Sequence, residues 1–305
     1  MSTRSPQRLS LAELHRHLDG SIRAETLREL AADHGKKVPD NLAFTKGMGL
    51  ESALARFAFT LSVLQQPDVV RRVASEMCED AREEGISTLE IRFAPQLHAG
   101  GSMEAIIDAA LEGIEGRAGL LLCALYGDSP DLVSRLVEAA RSRTGVVGID
   151  LAGGPAPGHD FSMQDYGPAF RRAEELGIGR TVHAGEGRPP EEIRVAIETL
   201  RAERIGHGTT LLDDPTVLEL VLARGVTIEA CPTSNVHTGV IAEVSEHPLR
   251  RWLDAGVQVT VCTDNTLLSA VTLPVELERV RSIPGIDEAA IARVMAHGHN
   301  AAFTR

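Results

Sequence analysis

The sequence predicts an α/β protein folded as a (β/α)₈ TIM barrel with extra helices inserted after strand 1. Three observations predict it. Eight short apolar runs alternate with amphipathic helical stretches along 305 residues, the pattern of a parallel sheet covered by helices. The stretch 22–84, between the first and second runs, is far longer than one crossover helix, so several helices are expected there, packed over the top of the barrel. No linker, low-complexity tract or internal repeat divides the chain, so residues 1–305 read as a single domain. An open doubly wound sheet is the alternative topology.

The runs follow in order. "LAELHRHLDG" (11–20) comes first, then "ISTLEIRFAPQ" (86–96), "GLLLCALYG" (119–127) and "VVGIDLAGG" (146–154). "RTVHAGEG" (180–187), "RIGHGTT" (204–210), "VTIEACPTS" (226–234) and "VQVTVCTDN" (257–265) complete the set. β-branched and aliphatic residues dominate them, and none has helical spacing. Between them, "SPDLVSRLVEAARSR" opens with Ser129 as N-cap and Pro130 in the first turn. "PPEEIRVAIETLRAE" carries acids at its start and basic residues toward its end, in line with the helix dipole. "DDPTVLELVLARG" opens on Asp213 and Asp214 and stops at Gly225.

Bulk composition narrows the function. A net charge of −12 argues against nucleic acid, whose phosphates demand a basic surface. Aromatic content is 3%, so aliphatic side chains are expected to fill the core. The cysteines Cys78, Cys123, Cys231 and Cys262 show no CxxC spacing, and three lie in apolar runs, as reduced buried thiols do. The start "MSTRSPQRLS" has no apolar segment, and no stretch approaches the ~20 apolar residues of a membrane span. A soluble cytoplasmic protein is expected.

In this barrel, reacting groups come from the C-terminal ends of strands. His15 and His17 end the first run with i, i+2 spacing, which turns both imidazoles to one face. His183 and Glu186 end the fifth, His207 the sixth, and Asp264 with Asn265 the eighth. The fourth ends in "DLAGG", small residues that let a ligand approach the backbone. Taken singly, each has a structural explanation: a hydrogen-bonded histidine, an acid at a helix start, a turn cap. Taken together, they converge on one rim. Three histidines and an aspartate form a ligand set for a borderline metal, zinc foremost, leaving a position for water whose pKa falls from 15.7 towards ~7.

Five motifs in order, "ELHRHLDG", "HAGE", "RIGHG", "CPTSN" followed by "TG", and "TDN", resemble the adenosine deaminase family of the amidohydrolase superfamily. The likeness runs from residue 11 to about 270, including "ALARFAFTLSVLQQPDVVRRVASEMCEDAREEGISTLEIRFAPQ". It implies one zinc ion per chain, ligated by His15, His17, His183 and Asp264. Glu186 matches the proton donor to purine N1, and His207 the group that holds the attacking hydroxide. Asp264 also matches the group that accepts the water's proton. Gly153 matches a backbone donor to purine N3. Asp19 and His17 match the ribose side. The binuclear branch uses a carboxylated lysine on strand four, and "VVGIDLAGG" has none, which favours one metal.

Two departures bear on the substrate. The family's usual Asp-Asp pair is here Asp264-Asn265, and an amide donates as well as accepts, so Asn265 could donate directly to N7. After strand three, "ALYGDSP" replaces the family's basic and His or Asn run on the ribose side. The implied reaction is zinc-dependent hydrolytic deamination of the 6-amino group of adenosine or a related adenine nucleoside. The alternatives are 6-aminodeoxyfutalosine in menaquinone synthesis, free adenine, or a non-deaminase metal hydrolysis.

Overall fold

The computed structural model describes residues 9–304; the polar start "MSTRSPQR" lies outside them. Eight parallel strands form one sheet in sequence order: β1 (Leu11–His17), β2 (Ile86–Phe93), β3 (Gly119–Leu125), β4 (Val146–Ala152), β5 (Gly179–Ala184), β6 (Arg204–His207), β7 (Thr227–Ala230) and β8 (Gln258–Val261). The expected barrel is therefore present.

The ladders are shorter than the apolar runs. β1 ends at His17 rather than Gly20, and β8 at Val261 rather than Asn265. Past each ladder the chain leaves the sheet and turns its polar residues toward the barrel axis. Two non-glycine residues at strand ends have positive φ: His207, the last residue of β6, at 67°, and Asp264, past β8, at 63°. Such backbone is costly for L-residues and clusters at functional sites.

The sheet closes through that same irregular segment. The Asp264 N–H donates to the His15 carbonyl (2.9 Å), and the His17 N–H donates to the Asp264 carbonyl (2.8 Å). Thr263 adds two bonds to the buried Glu13 carboxyl, at 3.0 and 2.7 Å.

Helix starts follow the capping signals. Ser129 accepts from Leu132 N–H and opens the helix Pro130–Arg141. Asp214, not Asp213, caps Pro215–Arg224, which stops at Gly225 with φ 63°. One expectation is corrected. The helix Glu191–Glu198 stops before the basic residues expected at its end, because the chain breaks at Thr199 and Arg201 sits at φ 56°.

The long segment after β1 holds three helices, Ala24–Asp33, Leu50–Leu61 and Pro67–Glu84. Only Leu50–Leu61 and the loop before it reach over the barrel mouth, which corrects the expectation that several helices cover it. Pro67–Glu84 joins the outer ring against Met103–Ile114, where a methyl on Gly113 would lie 2.1 Å from the Arg71 carbonyl. Ala24–Asp33 is tied to that ring helix by Arg23, which donates to Asp80 (2.6 and 2.9 Å) and Glu79 (2.9 Å).

Aliphatic side chains fill the main core as expected, but the barrel lumen itself is not purely aliphatic. The Phe303 ring plugs its lower end, 3.6 Å beneath the Arg204 guanidinium and against Gly148 and Gly179. Above it, buried ions alternate. Arg204 pairs with Glu90 (2.5 Å) and Glu229 (2.7 Å). Arg92 pairs with Glu229 and Asp150, both at 2.9 Å. Each charge taken from water is met by an opposite one, the condition for burying it at all.

Candidate metal and active site

The top of this ion column carries two histidines. His15 Nδ1–H donates to Glu229 Oε2 (2.7 Å), and His183 Nδ1 lies 3.1 Å from Asp150 Oδ1. Burial, and then the charge of Arg92, push the His15 pKa well down, so its contact with Glu229 is a hydrogen bond from a neutral imidazole rather than an ion pair. Burial alone would raise Asp150, but His183 and Arg92 hold it well below the usual carboxylate range. With both Nδ1 atoms engaged by carboxylates, the Nε2 lone pairs are free to point elsewhere.

They point at one another. His17 Nε2 and His183 Nε2 are 3.3 Å apart. Asp264 Oδ1 lies 3.6 Å from His15 Nε2 and 3.5 Å from His17 Nε2. One nitrogen each from His15, His17 and His183 falls within 4.8 Å of the others. His15 Nε2 is buried with no hydrogen-bond partner. Asp264 Oδ2 accepts from Ser234 Oγ (2.6 Å), which fixes the carboxylate plane.

This donor set fits a divalent cation. An unpartnered buried nitrogen, two facing imidazole nitrogens and a carboxylate leave lone pairs that no N–H satisfies. The column beneath sets two guanidinium groups, Arg92 and Arg204, against three carboxylates, Glu90, Glu229 and Asp150. That excess of negative charge attracts a cation to the cluster.

Beside the cluster, His207 and Glu186 are buried together. His207 Nδ1 lies 3.8 Å from Glu186 Oε1, and the His207 ring is 5.1 Å from both the His15 and His183 rings. Glu186 Oε1 accepts from Thr238 Oγ1 (3.1 Å) and Asn235 Nδ2 (3.3 Å). Burial pushes His207 down, although Glu186 and Asp264 pull the other way.

These groups face a cavity of about 350 Å³, within the range of small-molecule sites. His17, His183, Glu186, His207, Asp264 and Asn265 line it, as do Asp19 and Gly153, with His15 directly behind. Gly153 has φ 75°, and a methyl there would meet no atom within 4 Å, so the backbone lies open to the cavity. Asn265 Oδ1 and Asp19 Oδ1 are both buried without partners. Burial pushes the Asp19 carboxyl up to about 7. Gly20 is required beneath Asn265, since a Cβ there would lie 1.8 Å from Asn265 Oδ1.

The outer wall is apolar. Leu54, Phe57 and Leu61 of the helix Leu50–Leu61 line it, and the Phe57 ring lies 6.5 Å from that of His17. Tyr126, from the divergent loop after β3, also lines it and donates through its hydroxyl to the His183 carbonyl (3.0 Å). Asp128 turns back to accept from Leu125 N–H (2.8 Å). Gly127, at φ 97°, lets the His159 ring lie over it, and His159 stands at the cavity rim.

Sequence reasoning overlooked the supporting residues. Asp150, Glu229 and Arg92 were legible only as lone charges within apolar strands, the pattern of an inward-facing ion. Ser234 and Asn235 sit inside "CPTSN". His247 is buried with Nε2 3.4 Å from Asn235 Oδ1. His98 and His237 bond to the Leu64 carbonyl and Ser269 Oγ.

A family model described as adenosine deaminase matches residues 10–305. Among curated proteins, an adenosine deaminase of Clostridium perfringens is 37% identical over 95% of this chain and 93% of its own length. Among solved structures, the adenine deaminase of Arthrobacter aurescens superposes with a TM-score of 0.85 at 25% identity, covering 97% of this chain and 94% of that one. The N6-methyl-AMP deaminase of Arabidopsis thaliana superposes at 0.84, also at 25% identity, covering 97% and 93%.

Proposed function

The chain belongs to the adenosine deaminase family, and from that premise we propose that it hydrolyses the 6-amino group of adenosine or a related adenine nucleoside, giving the 6-oxo purine and ammonia. The chain is an aminohydrolase of this family. One observation carries the substrate reading. A single cavity holds three converging imidazole nitrogens and a carboxylate at its floor, a buried carboxyl–imidazole pair in its wall, and unpartnered polar atoms on Asp19 and Asn265.

The family is metal-dependent, and we assign one zinc ion per chain to His15, His17, His183 and Asp264. Bound there, zinc would supply a water whose pKa is lowered towards ~7. The chain's own residues divide the remaining work. Asp264 takes the proton of the attacking water and passes it to the leaving ammonia. Glu186 gives a proton to ring N1, which makes C6 electrophilic. His207 holds the attacking oxygen in place. Asn265 donates to N7, the Gly153 N–H to N3, and Asp19 with His17 meets the ribose hydroxyls. Leu54, Phe57 and Leu61 exclude bulk water, which strengthens each of these polar contacts.

The nucleoside is favoured over free adenine because Asp19 Oδ1 faces the cavity buried and unpartnered, as an acceptor awaiting a hydroxyl. A mononucleotide is disfavoured, since among the described residues no lysine or arginine lines the cavity to meet a phosphate. The catalytic unit is read as one domain over 1–305. Among the described residues no helix is long and apolar enough to cross a membrane. We place the enzyme in the cytoplasm, with reduced thiols and no nucleic-acid or membrane partner.

The test is turnover of adenosine, adenine, 6-aminodeoxyfutalosine and AMP by zinc-loaded protein, followed by the ultraviolet change on loss of the amine. Adenosine is expected to react, and adenine far more slowly. If no N6-amino purine in the panel changes, the deaminase reading fails; if adenine is preferred, the role given to Asp19 fails.

A further inference from the structure

His207 offers the reaction either a hydrogen-bond donor or an acceptor, depending on which ring nitrogen carries its proton. The surrounding bonds decide this, starting two residues away from it in space. The Leu249 N–H donates to His247 Nδ1 (3.2 Å), so Nδ1 is an acceptor. The proton of neutral His247 is therefore on Nε2, 3.4 Å from Asn235 Oδ1. Burial keeps His247 neutral, its pKa pushed down to about 3.

That contact fixes the amide of Asn235. Its oxygen faces His247, and its NH₂ faces Glu186 Oε1 (3.3 Å) and His207 Nδ1 (3.1 Å). The flipped amide would set oxygen against the Glu186 carboxylate and NH₂ against the His247 N–H, losing both bonds. With Asn235 donating to it, His207 Nδ1 is an acceptor. The His207 proton then sits on Nε2, the ring nitrogen turned away from Asn235. All of these side chains are buried, so water does not compete for the bonds.

We propose that Asn235 and His247 are positioning residues that lock His207 as its Nε2–H tautomer, so that His207 presents a donor and not a base. The proton of the attacking water is then left to Asp264 alone. This inference rests on the proposed deamination only in giving His207 a reaction to serve; the tautomer itself is fixed by the resting protein.

The test combines long-range proton–nitrogen NMR of the histidine rings in zinc-loaded protein, with the His207 signals assigned by their absence in His207→Gln, and steady-state kinetics. Wild-type His207 is expected to show a protonated Nε2 and a bare Nδ1. In Asn235→Asp, an acceptor-only side chain should move the proton to His207 Nδ1 and lower kcat on the order of a hundredfold, the scale of losing one preorganised donor. His247→Phe keeps a ring against Trp252 but frees the amide. It should give mixed tautomers and about a tenfold loss in kcat with little change in KM, the scale of removing an orienting partner. His247→Gln, which can still donate to Asn235, should restore most of both. A protonated Nδ1 in the wild type overturns the proposal, even if the variants fail to fold. So does a His247→Phe protein with unchanged tautomer and kcat. Absence of any turnover in the wild type, with the Nε2–H signature present, would overturn the proposed function and leave the lock standing.

Discussion

Replacing Asp150 by asparagine tests whether the lumen's ion column serves the metal or only the barrel. Asp150 Oδ1 faces His183 Nδ1 at 3.1 Å, and Oδ2 accepts from Arg92 at 2.9 Å. An amide has one acceptor for these two donors. The charged guanidinium is the stronger claimant, since bonds to charged groups contribute about 1.5–3 kcal/mol against about 1 for neutral ones. The amide NH₂ is then left against His183 Nδ1, which must become an acceptor and move its proton to Nε2. That removes a metal-facing lone pair. Loss of an orienting partner of this kind typically weakens metal binding 10–100-fold, about 1.4–2.7 kcal/mol.

Stability falls separately. Breaking a buried pair costs about 3–5 kcal/mol, but Arg92 keeps Glu229 and the Leu14 carbonyl, so about 2–3 kcal/mol is expected. With ~2.1 cal/mol/K of unfolding entropy per residue over 305 residues, that is a fall of roughly 3–5 °C in the metal-free Tm. The zinc-induced rise in Tm should shrink by a further ~2–4 °C, by the same conversion. Thermal scans with and without zinc, and zinc titration against a chromophoric chelator, separate the two effects. A lower metal-free Tm with unchanged zinc affinity would refute the reasoning and confine Asp150 to holding Arg92.

Three further outcomes are expected. Glu186→Gln should retain zinc, measured by atomic absorption, while turnover drops on the order of 10²–10⁴-fold; loss of zinc would instead put Glu186 in the metal shell. The wild type should discriminate against 7-deazaadenosine about tenfold in kcat/KM, and Asn265→Ala should abolish the difference, because the substrate lacking N7 leaves the amide donor unpaired. Glu276, buried in the helix Leu273–Val280 and bonded to Thr233, is pushed by burial from 4.5 up to about 7. Folded protein thus holds this proton more tightly than unfolded, so the stability it lends is complete below pH 4.5 and is lost as pH rises to about 7. Glu276→Gln should flatten that part of the Tm–pH curve, by up to ~3 kcal/mol at its upper end; parallel curves for the two proteins would rule the assignment out.

Strand order and every proposed ligand were legible because they rest on local pattern. A histidine or aspartate closing an apolar run stands out against its neighbours, and the period of two says which way it faces. The ends of the strands were not legible, because residues after the ladder remain apolar while the backbone has already left the sheet. The ion column was invisible for another reason. Arg92 meets Glu229 across 137 positions, and neither residue carries a local mark of its partner. The part played by His247 was not legible either, because it depends on which of its two nitrogens Leu249 engages, a fact of backbone geometry.

The seam between β1 and β8 has a consequence for substitution. Asp264 closes the barrel with its backbone, on His15 and His17, and offers its side chain to the proposed metal from the same residue. Those closing bonds belong to the backbone and survive a change of side chain, so folding fixes where Asp264 sits while only the proposed chemistry asks for a carboxylate there. In the loop after β3, Tyr126 lines the cavity and also holds the scaffold, its N–H donating to the Ala152 carbonyl (3.2 Å) and its hydroxyl to that of His183 (3.0 Å). A substitution at Asp264 that tolerates its positive φ would therefore leave the cylinder closed while removing the proposed ligand.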